Sequence, residues 1–103
     1  MTLTSARIKI ADSEIVGGST ASPSKCPVSL ALSRLTNNLW TVYTNYAYRI
    51  SEDPNKPSEQ FRIQPALSEW IRRYDQPGRP TNPGPIIIEI NYQTHLIDVV
   101  AAL

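Results

Sequence analysis

The chain has 103 residues, 41% of them apolar, and carries 10 basic against 9 acidic side chains for a net charge of +1. That is room for one domain with a single core, and the near balance of charge removes any long-range pull towards nucleic acid or anionic lipid, leaving only local patches. A lone cysteine excludes an internal disulfide, and no apolar run nears the roughly 20 residues of a membrane helix. The start is rich in Thr and Ser and then interrupted by Arg7 and Lys9, which does not read as a leader peptide, so the expectation is a soluble cytoplasmic protein without a membrane partner. Residues 1–103 read as a single domain, with a core over 6–92 and a C-terminal extension over 93–103.

Residues 6–11 alternate, with Ile8 and Ile10 on one side and Arg7 and Lys9 on the other, which predicts a half-buried strand. One helical turn over Asp12 to Val16 and a loop over Gly17 to Pro23 follow. Pro27 suits a first helical position, and Val28, Ala31, Leu32 and Leu35 fall at i, i+3, i+4 and i+7, so a helix runs to Thr36.

Leu39 to Ile50 is the longest strand candidate. Trp40, Val42, Tyr46, Tyr48 and Ile50 share one parity, and Thr41, Tyr43, Asn45, Ala47 and Arg49 the other. A hairpin turning at Thr44-Asn45 is the alternative, against which stands the lack of the glycine such turns favour. After a polar loop over Ser51 to Glu59, Gln60 to Gln64 predicts a short strand with Phe61 and Ile63 inward. Pro65 then opens a second helix with Leu67, Trp70, Ile71 and Tyr74 on one face and Ser68, Glu69, Arg72 and Arg73 on the other. A proline-rich loop leads to a last strand over Ile86 to Tyr92, with Ile86, Ile88 and Ile90 inward. The tail from Thr94 to Leu103 fits helix or strand equally. Strand, helix, strand, strand, helix, strand is the order of the ferredoxin-like split β-α-β fold. The expectation is therefore an α+β domain with two helices on one face of a four-stranded antiparallel sheet.

The segment Lys25-Cys26-Pro27-Val28-Ser29-Leu30-Ala31-Leu32-Ser33-Arg34 resembles the Cys-Pro-Val-Ala-Leu-Ala helix motif of small, functionally uncharacterised proteins of phages and bacteria. The other parts of that pattern would be Ile8 to Ile15, Leu67 to Asp75, Gly78-Arg79-Pro80 and Ile86 to Ile90. The Tyr-rich stretch and the tail after Tyr92 exceed the pattern. The resemblance supplies no activity; it implies a small accessory protein, phage- or prophage-encoded, acting in the cytoplasm of a host cell.

Chemistry-bearing residues are sparse. Cys26 at a helix start favours a thiolate, but the one histidine, His95, lies in the tail with no sequence context to pair them, and a small buried cap residue is the plainer expectation. One Cys, one His and scattered carboxylates match no metal-ligand spacing, Gly17-Gly18 lacks the lysine of a phosphate loop, and Glu52-Asp53 reads as a solvated pair. No catalytic, metal or cofactor site is expected. The aromatic stretch with Tyr43, Tyr46 and Tyr48, together with Arg72, Arg73 and Arg79, marks a candidate surface for a protein partner. If the aromatic strand borders the sheet, pairing with a second copy would give a homodimer. The alternative is a nucleic-acid face: with the helices on the Ile8, Phe61 and Ile88 side, the open side would show Arg7, Lys9, Arg49 and Arg62, with Thr41, Tyr43, Ile87 and Glu89.

Overall fold

Pro27 and Pro65 each sit at the first position of a helix, where a missing N–H costs nothing. They start the two helices that shape the fold. The computed structural model describes residues 4–19, 22–78 and 82–103. Its elements in chain order are β1 (Ser5–Lys9), α1 (Asp12–Gly17), α2 (Pro27–Thr36), β2 (Trp40–Val42), β3 (Tyr46–Arg49), β4 (Glu59–Ile63), α3 (Pro65–Asp75), β5 (Ile86–Asn91) and β6 (Leu96–Ala102). Asn37, in the left-handed region at φ 58°, ends α2 and donates its N–H to Ser33 O.

The α+β class holds, but the four-stranded ferredoxin-like sheet does not. Among the described residues the strands form one six-stranded sheet in the order β1-β5-β6-β4-β3-β2. All pairs are antiparallel except β4 with β6. Two features of the chain account for the difference. Leu39 to Ile50 is not one strand but the hairpin β2–β3, and the tail is a strand, β6, inserted between β5 and β4. That insertion moves β1 from the expected centre to a border.

One side of the sheet carries the core. Trp40, Val42, Ala47, Phe61, Ile63, Ile86, Ile88, Ile90 and Ile97 are buried there against Val28, Ala31 and Leu32 of α2 and Leu67, Trp70, Ile71 and Tyr74 of α3. Burying each large apolar side chain contributes roughly 1.5–3 kcal/mol before entropy is counted. Polar tips are tied off within this layer. Trp40 Nε1 donates to Thr36 Oγ1 at 2.7 Å, Trp70 Nε1 to Gly84 O at 3.0 Å, and the Tyr74 hydroxyl to Ile15 O at 2.9 Å.

The sheet is curled, and α2 packs against both of its border strands, β1 and β2. At the β1 border, Arg34 of α2 donates to Lys9 O at 2.8 Å and holds the Glu14 carboxylate of α1 with two nitrogens. That carboxylate raises the Arg34 pKa above its ordinary value. At the β2 border, Val42 N–H donates to Pro23 O at 2.8 Å, from the loop leading into α2. No helix among the described residues is long and apolar enough to cross a membrane.

Candidate binding surface

A two-residue turn, Thr44-Asn45, reverses the chain between β2 and β3, and it has consequences for every side chain in the stretch. The register pairs Trp40 with Arg49, Thr41 with Tyr48 and Val42 with Ala47. Tyr43 N–H donates to Tyr46 O at 2.8 Å, and Ile50 N–H to Leu39 O at 2.9 Å. An uninterrupted strand would keep Tyr46 and Tyr48 beside Trp40 and Val42. The turn shifts the parity, sending Ala47 and Arg49 to the core side and Tyr46 and Tyr48 to the outer one.

The outer side of the hairpin is therefore a ladder of Leu39 with Ile50, Thr41 with Tyr48, and Tyr43 with Tyr46. Leu39 is 73% exposed, Tyr43 51% and Tyr46 40%. The Tyr43 and Tyr48 rings meet edge-on, 6.1 Å apart at 80°. Thr41, Tyr43, Tyr46, Tyr48, Ile50 and Ser58 line a groove of about 530 Å³. Arg62 of β4 is the register partner of Tyr46 and extends the same face.

The hairpin is held by α3. The buried Ser68 donates its hydroxyl to Thr44 O at 2.7 Å and lies 3.1 Å from Asn45 Oδ1. Asn45 O accepts from Ile63 N–H at 2.9 Å. Round this tip, Thr44, Glu69, Arg72, Arg73, Asp75, Gln76 and Pro77 line a second hollow of about 420 Å³. Arg73 pairs with Glu69 at 3.4 Å. The tyrosines and Arg72 and Arg73 thus flank one turn from opposite sides of the sheet, while Arg79 lies outside the described residues.

The four cations of the nucleic-acid alternative do not share a patch. Arg49 lies on the core side against Glu59. Arg7 and Lys9 sit on the far border strand, where Arg7 pairs with Glu89 at 2.8 Å. Only Arg62 adjoins the tyrosines. Asp98, the register partner of Glu89, adds a second carboxylate to the outer side.

Cys26 is the N-cap of α2, with its Sγ accepting from Ser29 N–H at 3.4 Å. Burial outweighs that favourable amide and raises the thiol pKa above its ordinary value. His95 is elsewhere, in the turn that precedes β6. It stacks on Phe61 with ring centroids 4.9 Å apart and places Nε2 at 2.8 Å from Glu59 Oε2. The other Glu59 oxygen meets Arg49, whose guanidinium lies 5.8 Å from the centre of the Tyr92 ring. His95 adopts φ 58°, a conformation that non-glycine residues seldom occupy.

The Arg49–Glu59–Tyr92–His95 cluster was not anticipated from the sequence. Its local signal is Asn91-Tyr92-Gln93-Thr94, in which Asn91 Oδ1 accepts from the N–H groups of Gln93 and Thr94 at 2.9 and 3.0 Å, a side-chain-held turn between two apolar runs. Among the described residues no group of three or more His, Cys, Asp or Glu side chains is placed to hold a metal ion. No protein-family model, curated protein or solved structure matches this chain.

Proposed function

We propose that this chain is a small non-enzymatic binding module that works by occupying a surface of another protein through the outer side of the β2–β3 hairpin. A phage or prophage accessory factor in a host cytoplasm, inhibiting a host system, is the form the Cys-Pro-Val motif suggests. The observation carrying this reading is that both sides of one hairpin are apolar. Trp40, Val42 and Ala47 fill the core, yet Leu39, Tyr43 and Tyr46 stand in solvent, and tyrosine is enriched where proteins meet. The buried, hydrogen-bonded Cys26 with its raised pKa weighs against a cysteine-dependent enzyme.

A homodimer built by pairing β2 with a second copy has little to work with. Trp40 and Val42 are the strand residues whose main-chain groups turn outward, and Val42 N–H is already given to Pro23. The side chains of the hairpin, not its border, are what a partner meets. Affinity capture from a lysate of the encoding organism, run with and without nuclease, tests the reading. A captured protein that resists nuclease and disappears with the double variant Tyr43→Ala, Tyr46→Ala supports it. Capture that survives the double variant, or that nuclease abolishes, overturns it.

A further inference from the structure

Resting on that reading of the hairpin, we propose that the groove takes an extended, proline-rich peptide segment of the partner, flanked by carboxylates. The border of β2 is three residues long and its Val42 N–H is given to Pro23, which leaves little for recognition by strand addition. What remains is an open, shallow groove lined by tyrosine rings. Tyr43 and Tyr48 stand nearly perpendicular, Thr41 and Ile50 join the lining, and the polar groups are the hydroxyls of tyrosine, Thr41 and Ser58. Flat aromatic walls suit the ridge of a polyproline II helix. Its carbonyls make no internal hydrogen bonds and are free to accept from those hydroxyls. An α-helical ligand has most of its carbonyls satisfied and would waste the phenol donors.

Charge selects further. No carboxylate lines the groove among the described residues. Arg62, beside Tyr46, is exposed and takes part in no ion pair among them. One arginine complements an acidic peptide but is too few for a single-stranded nucleic acid, which calls for a positive groove tracking its backbone. The chain's own proline-rich stretch, Pro77 to Pro85, carries Arg79 and no carboxylate, so a second copy would bring the wrong charge.

The test uses the full chain and fluorescence anisotropy at low ionic strength. Three labelled probes serve: decaproline with two glutamates at each end, decaproline with two lysines at each end, and a ten-nucleotide oligo-dT. The Glu-flanked peptide is expected to bind saturably and roughly fivefold more tightly than the Lys-flanked one, the scale of an exposed ion pair. Arg62→Glu should reverse that order. Tyr43→Ala and Tyr46→Ala should each remove binding of both peptides with an unchanged far-ultraviolet circular dichroism spectrum, since both rings are exposed. Absence of saturable peptide binding, an order unaffected by Arg62→Glu, or tighter binding of oligo-dT each overturns the proposal. If the peptides fail while the tyrosine double variant still abolishes nuclease-resistant capture, the peptide chemistry falls and the hairpin surface stands. If capture is also indifferent to the tyrosines, both fall.

Discussion

The two sides of the β2–β3 hairpin are built from similar residues and meet opposite fates. Inward, Trp40 is 1% exposed, packs 5.2 Å from Phe61 between ring centroids, and has its indole N–H satisfied by Thr36. Outward, Tyr43 is 51% and Tyr46 40% exposed, with Thr41, Tyr48, Ile50 and Ser58 lining the same open groove. Apolar content alone does not distinguish a core side chain from a recognition side chain. What separates them is whether a second layer reaches them, and α2 and α3 reach one side only.

That contrast makes a graded set of expectations. Trp40→Ala should be the most damaging, costing about 3–5 kcal/mol in urea denaturation, because it opens a cavity beneath α2 and takes away the indole N–H that the Thr36 hydroxyl accepts. Ser68→Ala comes next. It removes the donor that holds Thr44 O, costs about 1–2 kcal/mol, and should speed amide exchange at the hairpin tip more than in β5. An equal speeding across the sheet would mean the tip is not held by α3. The outer tyrosines should be nearly silent by the same measure, with Tyr46→Ala within about 1 kcal/mol of the parent while binding is lost. A stability loss at Tyr46 as large as that at Trp40 would erase the distinction between the two sides.

Cys26 provides a check that does not depend on any partner. With its pKa raised by burial, the thiol should label with a disulfide reagent far more slowly in the folded chain than in urea at pH 8. The linkage has a definite sign. The thiol stays protonated in the folded state where the unfolded chain has begun to ionise. Its contribution is therefore complete below the unfolded value of about 8.5 and is lost as pH rises towards the raised folded one. Cys26→Ala should flatten the alkaline fall in stability; an unchanged slope would place the cause elsewhere.

Local periodicity located both long helices and the strands at Ser5–Lys9, Glu59–Ile63 and Ile86–Asn91, because each buries a stripe that its own spacing displays. It did not separate β2 from β3. The Thr44-Asn45 turn contains no glycine and is held by Ser68 and Ile63, residues far along the chain, so nothing within the stretch announces it. Read as one strand, the stretch puts Tyr46 and Tyr48 with Trp40 and Arg49 on the open side, the reverse of what the turn produces. The tail was ambiguous for a related reason. Leu96 to Leu103 satisfies both spacings, and the choice of strand is made by the gap that β4 and β5 leave between them. The tyrosines stand close together in the sequence, but only the turn shows that they share one face with Arg62.

A single helix that seals both rims of a curled layer leaves neither rim able to fray alone. Loosening α2 together with the loop that leads into it would release Lys9 O and Val42 N–H, presenting two unpaired templates at the same moment. Self-association of this chain on warming should therefore begin with the loss of helical signal, not before it, and a proline placed within α2 should lower the temperature at which it starts.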